Sequence, residues 1–102
     1  MGGVRLQKSR VVVLNGKRMR TRERAHTHLA RRFCLPSWYG RNLDALCDCL
    51  GEINVPTVIL FRHARRLRES LGDYGAKLIS VLAAMTGENT NLSLVVHQKY
   101  FK

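Results

Sequence analysis

Two carboxylates, Asp44 and Asp48, stand four residues apart in the most regularly patterned part of the chain. The apolar residues around them follow the i, i+3, i+4, i+7 spacing of one buried helical face: Leu43, Leu46, Cys47 and Leu50. At 100° per residue, both carboxylates fall on the flank of that face. Two like charges one turn apart destabilise a helix by a few tenths of a kcal/mol. A chain with few acidic residues that places two of them together is expected to use them for a contact outside the helix.

Acid–base catalysis is one chemistry that a pair of carboxylates at this separation allows. Catalysis also needs a concave pocket, and 102 residues around one core leave little room for it. A cysteine–histidine nucleophile would need a recognisable local signature, and none surrounds the candidate residues Cys34, Cys47, His26, His28 and His63. No glycine-rich phosphate loop is present. We therefore predict a binding protein rather than an enzyme, and assign no role to the histidines.

The three cysteines are odd in number and lack the spacing of a disulfide framework or a zinc site. Cys47 and Cys49 are two residues apart on the predicted helix and point about 200° apart, so they cannot share a metal ion or a disulfide. We predict reduced thiols, no metal and no cofactor. No apolar run approaches the roughly 18–20 residues of a membrane span, and residues 1–10 have no apolar signal region. A cytoplasmic protein without a membrane or small-molecule partner is expected.

Three short apolar runs, each separated by more than twenty residues with helical patterns, predict the elements that position these carboxylates. We expect one domain over residues 1–102, with residues 1–10 as a basic tail. The predicted strands are 11–14, 55–61 and 92–96, and the predicted helices are 21–33, 43–50, 62–71 and 74–85. Such long connections exclude hairpins and imply crossovers. The fold class is therefore α/β, a three-stranded parallel sheet packed with about four helices.

An aromatic turn precedes the helix that carries the two carboxylates. Pro36 ends the preceding helix, because the residue before a proline avoids helical dihedral angles. Trp38, Tyr39 and Gly40 then form a turn or short loop. Adjacent aromatic side chains beside a glycine suit a contact surface, since they offer a large rigid area at low entropic cost. At least one of the two rings is expected to pack in the core.

The same stretch resembles the signature of the barstar family of intracellular ribonuclease inhibitors. The similarity spans some thirteen positions in fixed order without gaps: Leu35, Pro36, Trp38, Tyr39, Gly40, Asn42, Leu43, Asp44, Ala45, Leu46, Asp48, Cys49 and Leu50. A weaker similarity extends over most of the chain. The resemblance implies a three-stranded parallel sheet with a helical cover, and a cis peptide bond at Val55–Pro56.

In barstar-like proteins this helix and turn block the active site of a ribonuclease, with carboxylates taking the place of RNA phosphates. Carried onto this sequence, the resemblance makes Asp48 the central carboxylate and Asp44 its neighbour. It implies further partner contacts from Trp38, Tyr39, Gly40, Asn42 and Leu43, with Cys47 in the place of a tryptophan. The sequence departs from the family pattern in other places too: Arg41 replaces an acid, Ile53 stands nearest a second tryptophan and Met85 replaces an acidic contact.

The charge distribution is strongly uneven. The net charge is +11, with ten basic residues and one acidic residue in residues 1–33, but one basic and three acidic residues in residues 34–61. A basic inhibitor would repel a basic ribonuclease at long range, so association is slow or the partner is acidic overall; we favour an acidic partner. The leading hypothesis is an inhibitor or immunity protein against a ribonuclease, such as a toxin of the same cell. The alternative is a barstar-fold module that binds RNA or the ribosome through its arginine-rich surface.

Overall fold

A computed structural model describes residues 9–97 as a parallel sheet with helices packed on it. The elements follow in the order β1 (Arg10–Asn15), a 3₁₀ helix (Gly16–Arg18), α1 (Arg22–Phe33), α2 (Leu43–Gly51), β2 (Thr57–Arg62), α3 (Ala64–Leu71), α4 (Asp73–Glu88) and β3 (Leu92–His97). All three strands are parallel, in the order β1-β2-β3. The predicted fold class and the four helices are confirmed.

One face of the sheet carries the hydrophobic core. In register, Val12 lies opposite Ile59 and Leu60 opposite Val95. Burial alternates with the two-residue period of a strand, so the helices cover the face that holds Val12, Leu14, Ile59, Phe61 and Leu92. The other face remains open among the described residues, with Val11 59% and Val95 48% exposed. The continuous apolar run 55–61 favours a strand buried on both faces, but among the described residues the helices cover only one face of β2.

The bounds of α1 lie within one residue of the predicted helix 21–33, and local capping sets both ends. The Thr21 hydroxyl accepts a hydrogen bond from the Arg24 N–H at 3.0 Å, and the helix ends at Cys34, whose backbone is left-handed (φ 57°). Helical spacing in the sequence favours a buried face that includes Ala25, His28 and Leu29, but in the structure His26 lies inside while His28 is only half-buried. None of the helices in residues 9–97 combines the length and apolar character needed to span a lipid bilayer.

Two backbone features correct the sequence-based expectations. Arg10, assigned to the basic tail, belongs to β1, because its N–H donates to the Pro56 carbonyl at 2.8 Å; residues 1–8 of that tail lie outside the described residues. The peptide bond between Val55 and Pro56 is trans, and residues 9–97 contain no cis peptide bond. Trans is the lower-energy isomer even before proline. Pro56 lies just before β2, where its missing N–H removes no bond from the sheet.

Gly16 lies where two strand-to-helix connections meet at the carboxyl end of the sheet. The Asn15 side chain caps the 3₁₀ helix by accepting from the Lys17 N–H at 3.0 Å. Gly16 is buried, and a Cβ atom there would collide with the carbonyl oxygen of His63. The Asn-Gly pair therefore serves a helix cap and a close backbone approach rather than a hairpin.

Candidate functional site

A tight network of hydrogen bonds around Asn42 begins the helix that carries the two carboxylates. The Asn42 Oδ1 accepts from the Ala45 N–H at 2.7 Å, and its Nδ2 donates to the Gly40 carbonyl at 3.3 Å. The side chain thus caps α2 and also fixes the turn before it. Asn42 and Gly40 are both exposed, so they remain on the surface while performing this structural task.

The buried side of α2 follows the predicted stripe with a small rotation. Leu46, Cys49 and Leu50 are buried, whereas Leu43 and Cys47 are half-buried and pack against the edge of the core. Leu43 and Cys47 therefore lie at the border between the core and the exposed face of the helix. From this border they can still present part of their surface to a partner.

The acidic side chains form one row along the exposed face of α2. Asp44 and Asp48 are exposed one turn apart, and Glu52, the C-cap residue, follows after another turn. Within residues 9–97 the one ion pair joins Arg65 and Glu69, so no described cation pairs with this row. The carboxylates are available to cations of another molecule.

The two adjacent aromatic residues have opposite environments. Trp38 is 72% exposed, while Tyr39 is only 6% exposed. Trp38 lines a shallow groove of about 240 Å³ together with Cys49, Glu52 and Val55, at the carboxyl-terminal end of α2. The expectation that at least one ring packs in the core is confirmed by Tyr39. Trp38 is therefore the exposed ring of the pair, and Tyr39 as a partner contact stays a prediction.

The buried hydroxyl of Tyr39 is satisfied by a histidine in the interior. This hydroxyl lies 2.6 Å from His26 Nδ1, and the Tyr74 hydroxyl lies 2.7 Å from His26 Nε2. Burial lowers the pKa of His26, and the nearby cations Arg41 and Arg22 lower it further. Burial likewise raises the pKa of the Tyr39 phenol. A neutral imidazole can donate to one tyrosine and accept from the other, so this trio joins α1, the aromatic turn and α4.

Sequence reasoning missed this trio. The two tyrosines are 13 and 48 residues away from His26 along the chain, and no short motif connects them. The one available signal was the helical phase of α1. His26 lies three residues before the core residue Leu29 and one turn before Ala30, which is partly buried against the core. The trio positions the turn, and two of its members, His26 and Tyr74, also line the concavity beside Asp44.

A concavity of about 490 Å³ lies beside Asp44, with a cationic edge formed by Arg22 and Arg41. The Arg22 guanidinium carbon is 4.0 Å from the centroid of the Tyr74 ring. Arg41 has a left-handed backbone (φ 57°) and donates from one guanidinium nitrogen to the Glu23 carbonyl at 3.0 Å and to the Thr27 hydroxyl. Arg22 and Arg41 therefore place fixed positive charge beside the amino-terminal end of the acidic row.

The described residues contain no group suited to metal binding: no cluster of three or more His, Cys, Asp or Glu side chains occurs in residues 9–97. All three cysteines are free thiols. Burial raises the pKa of the Cys47 thiol, and the neighbouring carboxylates of Asp44 and Asp48 raise it further. A thiol held protonated in this way is a poor nucleophile.

Comparison with known proteins agrees with this arrangement of elements. The profile of the family described as "Barstar (barnase inhibitor)" matches residues 9–98. A Bacillus subtilis (strain 168) protein named "Putative ribonuclease inhibitor YrdF" is 31% identical over 74 residues, which cover 72% of this chain and 81% of that protein. With the parallel sheet, the four helices and the turn before α2 in place, this chain belongs to the barstar family.

Proposed function

We propose that the chain inhibits a ribonuclease by placing the acidic row of α2 in the phosphate-binding part of the enzyme's active site. The observation that carries the proposal is the exposed pair Asp44 and Asp48, unpaired within residues 9–97 of a chain with 18 basic residues. The family description and the relative's name support the inhibitor class.

The inhibitory chemistry follows from what an RNA-cleaving site must contain. Such a site presents cationic side chains to the phosphates of its substrate, and two fixed carboxylates can satisfy the same donors through charge-assisted hydrogen bonds. Asp48, in the middle of α2, is the central carboxylate in this proposal, and Asp44 is its neighbour. Because both are held on one rigid helix, little conformational entropy is lost on binding.

The remaining contacts divide into exposed and positioning residues. Trp38, 72% exposed beside the end of the row, offers the large rigid area of an interface anchor. Gly40, Leu43 and Cys47 contribute smaller surfaces next to it. Asn42 both contacts the partner and holds the amino terminus of α2, and Tyr39 acts from the interior through His26.

The charge pattern of this surface predicts which charges the target ribonuclease carries. The row of carboxylates meets the enzyme's cations, whereas Arg41 and Arg22 at the border require neutral or acidic groups beside them. With a net charge of +11, the chain associates fastest with an enzyme that is acidic overall. We propose that this enzyme is a toxin of the same cell and that the chain acts as its cytoplasmic immunity protein.

The proposal is tested by capturing a ribonuclease from a lysate of the source organism with immobilised wild-type protein at moderate salt. RNA cleavage by the purified enzyme is then titrated with wild type, Asp44→Asn, Asp48→Asn and the double variant. Loss of one partner of a buried charge pair costs about 2 kcal/mol or more, so Asp48→Asn should weaken inhibition at least about thirtyfold.

The matched control is Glu69→Gln, which also neutralises one exposed carboxylate on a helix but lies on α3. It should inhibit as wild type does. If the double variant inhibits as well as wild type, the acidic row is not the inhibitory element. If wild type neither captures nor inhibits a ribonuclease, the inhibitor function itself is wrong.

A further inference from the structure

A second concavity, of about 610 Å³, lies over the outer side of α1 and gathers positive charge. Six cationic side chains line it: Lys17, Arg18, Arg20, Arg24, Arg31 and Arg41. We call this surface the basic concavity. Glu23 is its one lining carboxylate, so the lining carries a formal charge of about five positive units.

The basic concavity is assembled by tertiary structure from four places in the chain. Lys17 and Arg18 come from the 3₁₀ helix, Arg20 from the connection that follows, and Arg24 and Arg31 from the exposed side of α1. Arg41 reaches across from the turn before α2 and is held there by its bonds to Glu23 and Thr27. Cations brought together from separate segments repel one another in the folded state, and a bound polyanion would relieve that repulsion.

Nothing within residues 9–97 neutralises these cations by ion pairing, because the one ion pair there lies on α3. The environment of His28, which also lines the surface, agrees with a positive potential. Burial lowers the pKa of His28, and Arg32, Arg18 and Arg31 lower it further. Its Nε2 accepts a hydrogen bond from the Asn15 N–H at 2.9 Å, which suits the neutral imidazole.

The composition of the lining distinguishes a nucleic acid from an acidic protein as the ligand. Protein interfaces bind through apolar or aromatic anchors buried at their centre. The lining of the basic concavity contains no such side chain and is made of basic, hydroxyl, imidazole and carboxylate groups. Five of its six cations are arginines, whose planar donors match two phosphate oxygens at once.

We propose that the basic concavity binds the phosphodiester backbone of single-stranded nucleic acid, as a site separate from the acidic row of α2. A flexible single strand can follow a curved surface and place several phosphates against successive arginines. The proposal does not depend on ribonuclease inhibition. The two surfaces meet at Arg41, which borders both concavities.

The test is fluorescence anisotropy of a labelled uridine oligonucleotide of about twelve nucleotides with the full chain. The matched deoxyuridine oligonucleotide, which lacks only the 2′-hydroxyls, is measured in parallel to separate RNA from DNA. If about five phosphates are neutralised, affinity should fall about a hundredfold when salt rises from about 50 to about 200 mM. Equal binding of both oligonucleotides supports contacts to the backbone alone, and preference for RNA adds a contact to the 2′-hydroxyl.

The decisive comparison is Arg24→Ala/Arg31→Ala against Arg65→Ala/Arg68→Ala. Each pair removes two exposed arginines from one helix, but only the first pair lines the basic concavity. The Arg24→Ala/Arg31→Ala variant should bind the oligonucleotide about tenfold or more weakly, and its affinity should depend less on salt. The Arg65→Ala/Arg68→Ala variant should change both quantities much less. Circular dichroism and thermal unfolding verify that each variant is folded.

Three outcomes would overturn the proposal. The first is binding that does not change with salt. The second is an equal loss in both double variants, which would show that net charge rather than the basic concavity governs binding. The third is binding of an oligoglutamate peptide with no binding of either oligonucleotide, which would make the basic concavity a protein-docking surface.

Discussion

At the scale of single residues, neighbouring side chains in this chain have sharply different tasks. Trp38 and Tyr39 are adjacent, yet one is exposed and the other is bonded to His26 in the interior. Asp44 and Asp48 are exposed to solvent on the same helix whose other side is core. Exposed side chains of this region are therefore held in place by buried neighbours on the same turn and helix.

Acidification should destabilise the protein through His26. In the folded chain the pKa of this imidazole is lowered by burial and by Arg41 and Arg22, while in the unfolded chain it returns to about 6.5. The unfolded state then binds a proton more readily than the folded state does. The contribution of His26 to the free energy of unfolding is therefore complete above about pH 6.5, and it is lost as the pH falls from there through the lowered pKa of the folded state. Urea unfolding at a series of pH values measures this, and His26→Gln should show a weaker dependence than wild type.

The control for this prediction separates His26 from the other histidines. The pKa values of His28 and His63 are lowered as well, so they leave a residual pH dependence in the variant. Residue-specific NMR titration measures the pKa of each imidazole separately. A pKa for His26 at or above about 6.5 in the folded protein would contradict the prediction.

At the scale of elements, the fold places α2 and its preceding turn by contacts with other elements. Asn42 begins the helix, and α2 packs on α4. The amide of Asn89 donates to the Leu50 and Ile53 carbonyls, both at 2.9 Å, and so satisfies the carboxyl-terminal end of α2. The acidic row is therefore supported at both ends and along its length.

Two glycines of α4 should respond oppositely to the same substitution. At Gly75 a Cβ atom would lie 2.7 Å from the Leu67 carbonyl oxygen of α3, whereas at Gly87 it would meet nothing within 4 Å. Gly75→Ala should destabilise the protein by about 1–3 kcal/mol, because α3 and α4 must separate. Gly87→Ala should stabilise it by about 0.5–1 kcal/mol, because alanine favours the helix.

Urea unfolding of the two variants beside wild type measures both effects, and each glycine serves as the other's control. Equal changes in the free energy of unfolding would mean that intrinsic helix propensity, and not the close packing of α3 on α4, decides the result at Gly75.

At the scale of the whole molecule, charge is segregated rather than mixed. The chain carries a net charge of +11, yet its three acidic residues between positions 34 and 61 stand in one row on α2. The basic concavity occupies the outer side of α1. A molecule with this distribution can offer different surfaces to an enzyme active site and to a polyanion.

Added salt should stabilise the folded protein. The folded state concentrates positive charge that the unfolded chain disperses, and salt screens this repulsion over about 8 Å at physiological ionic strength. A gain of about 1 kcal/mol corresponds to a rise in Tm of about 5 °C for a domain of this size. Thermal unfolding over a sodium chloride series measures it, in a buffer without phosphate so that no anion of the proposed ligand class is present.

Arg24→Ala/Arg31→Ala should show a smaller rise in Tm with salt, since two of the crowded charges are gone, while Arg65→Ala/Arg68→Ala serves as the comparison. A fall in Tm on adding salt would mean that attraction between unlike charges outweighs repulsion in the folded chain.

The sequence by itself determined the features that depend on neighbours along the chain. Helical spacing placed Asp44 and Asp48 one turn apart on the flank of the buried face of α2, and the predicted helix 21–33 agrees with α1 to within one residue. The lengths of the connections between apolar runs predicted three parallel strands. Periodicity and capping act over a few residues, so they can be read before any tertiary contact is known.

Only the tertiary structure decided what depends on residues far apart in the chain. It buried Tyr39 by joining it to His26 and Tyr74, placed Arg10 in β1, and left one face of the sheet open. It also gathered cations from four segments into the basic concavity. The local pattern of the sequence shows which residues share one face of a helix or strand. Which of those faces becomes buried depends on packing between elements, because burial is a property of the whole assembled core.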